Sequence, residues 1–274
     1  MKKRISIGVF DSGYGGLTVL SEIVNRLPNY DYIYLGDNAR APYGTRSFEV
    51  VYDYTLEAVK ELFDRGCELV VLACNTASAK ALRSIQQNDL PTIDPKKRVL
   101  GVIRPSTEII GDLTKSGHVG ILATEGTVKS ESYVIELSKY APTVEVVQHA
   151  CPMWVPLIEN HRHDSTAGKL FIEEDVKALL EKDPKIDTII LACTHYPILK
   201  EYIKSLLPDS INVISQGAIV AEKLEEYLTR HLELNSKLTQ TGSLHFLTTE
   251  SAIEFDKKAS VFFGREVKSE HIKL

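Results

Sequence analysis

Two cysteines stand in matching sequence contexts and could act together as an acid–base pair. Residues 69–76 align with residues 188–195 at an offset of 119, and this alignment places Cys74 opposite Cys193. Each cysteine follows a short run of aliphatic residues, where a buried strand would end. One thiolate can remove a proton from a carbon atom while a thiol on the opposite face returns one. A pair of this kind would invert a stereocentre.

Each thiol would need a neighbouring group to act, because only a few per cent of an ordinary thiol is ionised near pH 7. Asn75 and Thr76 can open a helix directly after the first cysteine, and a helix N-terminus favours a thiolate. Asp11 ends a neighbouring predicted strand, and His195 lies two residues after the second cysteine. Asp11 could equally serve only as a helix cap. The spacing leaves both roles of Asp11 open.

The other two cysteines, Cys67 and Cys151, have no such context and are interpreted as small buried apolar residues. The four cysteines form no C-x-x-C pair and no export signal is expected, which favours reduced thiols in a cytoplasm over disulfides. Zinc is an alternative, because His161 and His163 lie near Cys151. Tetrahedral zinc sites normally show paired ligands at short spacing, so we expect no metal.

Short runs rich in Val, Ile and Leu alternate along the chain with stretches of helical periodicity. Continuous apolar runs of this kind are typical of parallel strands covered on both faces, so the predicted fold class is α/β with doubly wound parallel sheets. The predicted strands are 5–10, 31–35, 69–73, 99–103, 118–123, 143–147, 187–192 and 211–214. The clearest predicted helices are 47–65, 168–182 and 216–233.

A second, weaker internal match aligns residues 7–13 with residues 119–125 at an offset of 112. Together the two matches indicate two similar α/β halves that arose by duplication. The Pro-containing stretch 90–96 is the best candidate boundary, and the C-terminal region has too few strands to stand alone. We therefore predict a first domain formed by residues 1–97 and 212–274, and a second domain formed by residues 98–211.

Polar residues cluster where the predicted strands end. Ligands of open α/β sheets bind at the carboxyl ends of the strands, so two facing halves would enclose one shared cleft. These residues are Asp11, Ser12, Asp37, Cys74, Asn75, Thr76, Thr124, Cys193, Thr194 and His195. The glycines after the first strand do not form G-x-G-x-x-G, because Thr18 stands where the third glycine is needed. They are expected to allow a tight turn or a close approach of the backbone to a small ligand.

Composition and charge narrow the class of protein. Charges of both signs are mixed along the 274 residues, and the formal net charge is −5, so there is no basic footprint for nucleic acid or an anionic membrane. The first apolar run ends at Asp11, which is too short for a signal peptide, and no stretch approaches 18 apolar residues. We expect a cytoplasmic enzyme whose partners include neither nucleic acid nor a membrane.

Five sequence blocks resemble glutamate racemase, a family within the cofactor-independent aspartate/glutamate racemase superfamily. The blocks are GVFDSGYGG at 8–16, DNARAPYG at 37–44, ACNTA at 73–77, CPMWVPLIE at 151–159 and LACTHYP at 191–197. The resemblance extends from the first predicted strand to about residue 197, and the length of the chain fits as well.

The resemblance implies interconversion of L- and D-glutamate without pyridoxal phosphate or another cofactor, in the cleft between two flavodoxin-like domains. D-glutamate of this origin enters bacterial peptidoglycan. The resemblance assigns Cys74 and Cys193 as the acid–base thiols, and Asp11 and His195 would assist them, with Glu159 nearby. The substrate-binding residues it implies are Asp11, Ser12, Pro42, Tyr43, Gly44, Asn75, Thr76, Thr124, Thr194 and His195. A homodimer is also expected.

Three other interpretations remain open. An aspartate racemase would use the same two thiols on a shorter diacid, although residues 42–44 favour glutamate. A thiol hydrolase could use Cys193 and His195 alone, but it would leave the matched Cys74 unexplained. A non-catalytic amino-acid-binding protein would suit two similar halves, and it would bind its ligand without exchanging the α-proton.

Overall fold

Two separate parallel β-sheets form the centre of the structure, a computed structural model that describes residues 5–274. The strands are β1 Ile7–Asp11, β2 Tyr32–Gly36, β3 Leu69–Leu72, β4 Arg98–Gly101, β5 His118–Ala123, β6 Glu145–Ala150, β7 Thr188–Ala192, β8 Asn212–Ser215, β9 Leu244–Thr248 and β10 Ser269–His271. The first sheet has the order β10-β9-β2-β1-β3-β4, and the second has the order β6-β5-β7-β8. The predicted α/β fold class is confirmed.

Helices cover both faces of the sheets, which explains why the central strands are continuous apolar runs. Every residue of β1, β2, β3 and β7 is buried. The helices are α1 Gly16–Arg26, α2 Phe48–Asp64, α3 Asn75–Lys80, α4 Leu82–Ser84, α5 Leu90–Ile93, α6 Ile103–Leu113, α7 Glu125–Lys129, α8 Ser132–Tyr140, α9 Trp154–Glu159, α10 Thr166–Lys182, α11 Lys200–Ser205, α12 Gly217–Arg230, α13 Leu232–Asn235 and α14 Ala252–Phe263. Among residues 5–274, no helix is long and apolar enough to cross a membrane.

The two sheets repeat one topology. In the first sheet the strands β1 to β4 lie in the order β2-β1-β3-β4, and in the second the strands β5 to β8 lie in the order β6-β5-β7-β8. This is the order of a flavodoxin-like sheet. The matched cysteines occupy equivalent places, because Cys74 follows β3 and Cys193 follows β7. The repeat seen in the sequence therefore corresponds to a repeat in the fold.

The first sheet is built from two distant stretches of chain. Strand β9 pairs in parallel with β2, with Leu244 opposite Tyr32, so the C-terminal region adds strands to the first sheet. Strand β4 pairs with β3, and β8 pairs with β7. Strand β4 begins at residue 98, just inside the predicted second domain, but it lies in the first sheet. Strand β8 begins at residue 212, where the predicted first domain resumes, but it lies in the second sheet. The domain limits themselves stay a prediction.

All eight predicted strands and the three clearest predicted helices are present within a few residues of their expected bounds. Strands β9 and β10 were not predicted. Strand β10 has only three residues, two of them exposed, at the edge of the sheet. In β9, Leu244 and His245 are not buried, so this strand has no continuous buried run like that of β1.

Candidate active site

The strand order of each sheet reverses at one point, between β1 and β3 in the first sheet and between β5 and β7 in the second. Ligands of such sheets bind at the carboxyl ends of the strands beside this point. The first crevice presents Ser12 and Cys74, and the second presents Thr124 and Cys193. These four residues line one cavity with a volume of about 90 Å³. Sites for drug-sized ligands have volumes of roughly 300–1,000 Å³, so this cavity suits a small molecule.

Most residues of the predicted site line this cavity. They are Ser12, Pro42, Tyr43, Gly44, Cys74, Asn75, Thr76, Thr124, Glu159, Cys193, Thr194 and His195. Asp11 lies behind the lining, where its carboxylate accepts hydrogen bonds from the Gly13 N–H at 2.9 Å and the Thr194 hydroxyl at 3.2 Å. Asp37 also lies outside the lining, and it accepts a hydrogen bond from the Tyr43 hydroxyl.

Cys74 caps the N-terminus of helix α3. Its Sγ accepts a hydrogen bond from the backbone N–H of Ala77 at 3.4 Å and lies 3.5 Å from Ser12 Oγ. Burial and, to a lesser extent, the nearby Asp11 carboxylate raise the pKa of the Cys74 thiol to about 12. At neutral pH Cys74 is therefore a protonated thiol that can donate a proton.

Cys193 lies beside a histidine instead. Its Sγ is 3.9 Å from His195 Nδ1, and His195 Nε2 is 2.9 Å from Glu159 Oε1. Burial alone would lower the pKa of His195, but the hydrogen bonds to Cys193 and Glu159 outweigh burial and raise the pKa to about 10. The ring is therefore an imidazolium at neutral pH, and it lies beside the Cys193 sulfur atom. The two cysteines thus lie in chemically unlike surroundings.

We expect the stability of the fold to depend on pH through His195. Its pKa is about 6.5 in an unfolded chain and about 10 in the folded protein, so folding strengthens proton binding. The resulting stabilisation is complete below about pH 6.5 and is lost as the pH rises to about 10. Urea unfolding of the wild type and of His195→Gln should show that the wild-type advantage shrinks over this range. The exposed His271→Gln serves as control, and an advantage that grows with pH would contradict the assignment.

Neutral hydrogen-bonding groups surround the two thiols and join the two halves across the cavity. Thr76 Oγ1 lies 2.9 Å from Thr124 Oγ1, and the Gly126 N–H donates to the Gly44 carbonyl at 2.8 Å. Hydroxyl and amide groups can bind a charged substrate without competing with the thiols for protons. The cavity therefore combines two acid–base groups with neutral donors for a small polar ligand.

Gly15 and Gly16 let the first turn of α1 pack directly against the side chains that hold the site. A Cβ on Gly15 would lie 2.3 Å from Thr194 Oγ1 and 2.4 Å from His195 Nδ1. A Cβ on Gly16 would lie 2.3 Å from Asp11 Cβ. The expected close approach of the backbone at these glycines is present, but it is toward side chains of the protein.

Cys151 is buried with a free thiol, as expected, and it also forms part of the cavity wall, which the sequence did not predict. In the described part of the chain, the side chains that join it as potential metal ligands are His149 and Asp175, not His161 and His163. His149 Nε2 and Asp175 Oδ1 are hydrogen-bonded to each other at 2.8 Å. Both groups are therefore satisfied by the protein itself.

Three residues that support the site from behind were missed from the sequence. The Tyr34 hydroxyl donates to the Gly13 carbonyl at 2.8 Å. Tyr133 and Gln216 form hydrogen bonds with the Asn75 amide at 2.7 and 2.8 Å. Gln216 directly follows the carboxyl end of β8, so the strand-end rule could have found it. Tyr34 and Tyr133 lie inside regular elements, where no spacing signal marks them.

Comparisons with known proteins agree with this geometry. The family model described as Asp/Glu/Hydantoin racemase matches residues 7–224. A protein of Ruegeria sp. (strain TM1040) named glutamate racemase is 40% identical over 276 residues, covering 97% of this chain and 99% of that protein.

Two solved structures are also similar over nearly the full length. A glutamate racemase isoform from Bacillus anthracis has a TM-score of 0.89 at 35% identity and covers 99% of this chain and 98% of that one. A glutamate racemase from Francisella tularensis subsp. tularensis SCHU S4 was solved in complex with D-glutamate. It has a TM-score of 0.87 at 31% identity, and the match covers 100% of this chain and 98% of that one. Since the family match spans most of the chain and the fold agrees throughout, this protein belongs to the Asp/Glu/Hydantoin racemase family.

Proposed function

We propose that this protein is a glutamate racemase that interconverts L- and D-glutamate by proton transfer at the α-carbon. The observation that carries the proposal is that Cys74 and Cys193, which follow equivalent strands of the two sheets, line the same cavity. The relative from Ruegeria supports glutamate as the substrate, as does the D-glutamate bound by the Francisella protein.

In the proposed reaction one thiolate removes the α-proton, and the electron pair of the broken C–H bond stays on the substrate, delocalised into the adjacent carboxylate. The thiol on the opposite face then gives its proton to the same carbon atom. One cysteine ends as a thiol and the other as a thiolate, so the product leaves the pair ready for the reverse direction. Atoms and electrons balance without a further reactant.

The different surroundings of the two cysteines support an assignment of which one starts as the base and which as the acid. The His195 imidazolium lies beside Cys193, so in the proposed reaction Cys193 starts as the base, whereas burial keeps Cys74 protonated. Glu159 holds the other ring nitrogen of His195 and thereby keeps the ring cationic. In this state Cys193 is the base for the enantiomer whose α-hydrogen faces it, and Cys74 is the acid.

We assign the polar lining to the ends of the substrate. The amino-acid head group would contact Ser12, Asn75, Thr76 and Thr194, with Thr124 reaching it from the second half. The segment 42–44 would bind the side-chain carboxylate, and Asp11 would orient Thr194 through their 3.2 Å hydrogen bond. Excluding water from so small a cavity strengthens each of these contacts.

The proposal extends to the role of the product in the cell. D-glutamate made here would supply bacterial peptidoglycan. The two thiols must stay reduced to exchange protons, so the reaction belongs in a reducing compartment such as the cytoplasm. We also propose a homodimer, which sedimentation analysis of the purified protein would test.

The deciding experiment uses the purified protein with L-glutamate in D₂O, with a reducing agent and no added cofactor. We expect optical activity to decay to zero while deuterium replaces the α-proton. Faster decay with aspartate than with glutamate would favour an aspartate racemase. Binding of both amino acids without exchange would overturn the proposal and favour an amino-acid-binding protein.

A further inference from the structure

A closed ring of three hydrogen bonds lies directly behind the cavity. Asn75 Nδ2 donates to Gln216 Oε1 at 2.8 Å, and the Tyr133 hydroxyl donates to Asn75 Oδ1 at 2.7 Å. Gln216 Nε2 donates to the Tyr133 oxygen at 2.6 Å and closes the ring. Asn75 is 2% exposed, Gln216 is 4% exposed and Tyr133 is 0% exposed, so no solvent competes for their hydrogen bonds. Each member of the ring donates once and accepts once.

The ring joins elements of both halves of the molecule. Asn75 opens α3 in the half with the first sheet, and Tyr133 lies on α8 in the half with the second sheet. Gln216 stands where the chain leaves β8 of the second sheet and enters α12, which packs on α1. The ring therefore forms only when the two halves have this relative position.

The direction of the ring is fixed by a backbone carbonyl. A phenol can both donate and accept, so by itself the ring could also run with both amides turned over. Gln216 Nε2 has two hydrogens, and its two shorter contacts, with the Tyr133 hydroxyl at 2.6 Å and Ser106 Oγ at 2.8 Å, use both of them. The Val102 carbonyl lies 3.2 Å from the same nitrogen and can only accept, so an amide oxygen in that place would be repelled. Ser106 Oγ donates to the same carbonyl and accepts from Gln216 Nε2 at 2.8 Å. Gln216 Oε1 must then face Asn75, which presents Nδ2 to it and Oδ1 to Tyr133.

We infer that Gln216 and Tyr133, neither of which lines the cavity, are positioning residues that fix the orientation of the Asn75 amide toward the substrate carboxylate. The inference rests on the proposed function. Within the ring, one of the two hydrogens on Asn75 Nδ2 is donated to Gln216. In this assignment the other hydrogen donates to the ligand in the cavity that Asn75 lines. That hydrogen matches a carboxylate oxygen, whereas an inverted amide would present its own oxygen and repel the carboxylate.

A double-mutant cycle tests this inference. Gln216→Leu keeps most of the side-chain volume and removes the group that dictates the direction of the ring. We expect the KM for both enantiomers of glutamate to rise about tenfold, which is the loss of one hydrogen bond to a charged group. The kcat should change less than about threefold, because this contact is present in the ground state and the transition state alike. In an Asn75→Ala background, Gln216→Leu should raise the KM no further, since no amide remains to be oriented.

Two further variants complete the design. Gln86→Leu is the matched control, because Gln86 Nε2 also donates to a backbone carbonyl, that of Val99 at 2.7 Å, and among the described residues no hydrogen bond joins Gln86 to Asn75. Its KM should equal that of the wild type. Tyr133→Phe removes only one oxygen atom from the ring and serves for the same cycle if Gln216→Leu does not fold.

The outcomes separate the inference from the proposed function. A wild type that does not racemise glutamate would overturn both. An active wild type whose KM is unchanged in Gln216→Leu and Tyr133→Phe would overturn the inference alone. Effects of Gln216→Leu and Asn75→Ala that add independently would do the same, since they would show that Gln216 does not act through Asn75.

Discussion

Replacing either Cys74 or Cys193 by serine is expected to lower the rate of racemisation by about 10³-fold, within the range that acid–base groups contribute to catalysis. A serine hydroxyl is a far weaker acid than a thiol, so near pH 7 it cannot supply the base that removes the α-proton. Both cysteines line the cavity, and serine differs by one atom, so folding should be retained. The rate of change of optical activity from each enantiomer measures the loss.

The two variants should each retain α-proton exchange with a different enantiomer of glutamate. A variant that keeps one thiol can still remove and replace the α-proton on the face that this thiol contacts. In D₂O, Cys74→Ser should therefore incorporate deuterium into one enantiomer without inverting it, and Cys193→Ser into the other. Near-normal racemisation by either variant, or exchange of the same enantiomer by both, would contradict the two-thiol assignment.

The control for these variants is Cys67→Ala. Cys67 is a fully buried cysteine packed in the core of the first half, and it is not among the residues that line the cavity. We expect the racemisation rate to stay within about twofold of the wild type, and the lost packing to reduce the free energy of unfolding by about 1 kcal/mol.

Gly15→Ala is the second substitution with a large expected effect on activity, because the added methyl group would have no room. The φ of Gly15 is −58°, which any residue can adopt, so backbone freedom does not require glycine here. A methyl group would instead lie 2.3 Å from Thr194 Oγ1 and 2.4 Å from His195 Nδ1. Relief of this clash must move the imidazole that lies beside Cys193. A displacement of about 1 Å can lower activity by about 10²-fold, so we expect at least that loss in kcat/KM.

A glycine-to-alanine substitution at a site with more room is the control. It separates the effect of this clash from the general effect of replacing a glycine by alanine. Gly111→Ala lies on α6, where the added methyl group would meet only Ala141 Cβ at 3.3 Å. We expect this variant to keep full activity and to change the free energy of unfolding by at most about 1 kcal/mol. Gly15→Ala should also lose about 1–3 kcal/mol of stability through overpacking, measured by urea unfolding. If Gly15→Ala were as active as Gly111→Ala, the close packing on His195 would not matter for the reaction.

Much of the fold could be predicted from local sequence because burial on both faces leaves a simple signal. Strands such as β1 and β3 are continuous apolar runs, and the residues just past their ends are polar. The repeat at an offset of 119 residues then linked Cys74 with Cys193 and indicated one cleft between two halves. These inferences needed only the spacing of residues along the chain.

The rest depends on contacts that no spacing reveals. Ser12, not Asp11, lies next to the Cys74 sulfur, because the carboxylate of Asp11 is turned toward Gly13 and Thr194. The hydrogen bonds of Gln216 reach residues 141, 114 and 83 positions away, and their direction is set by a single carbonyl. Strand β9 pairs with β2, which lies about 200 residues earlier in the chain, and residues 244–248 have no continuous buried run that would predict a strand.

The two-part origin of the first sheet has a consequence for how the chain is made. The strands β5 to β8 come from one uninterrupted stretch, so the second sheet can close while the ribosome is still adding residues. The first sheet cannot, since the hydrogen-bonding edge of β2 waits for residues 244–248, which are synthesised about 200 positions later. Pairing over such a separation is slow, and an open edge can meet other chains in the meantime. Newly made chains therefore expose the edge of β2 to aggregation until β9 pairs with it.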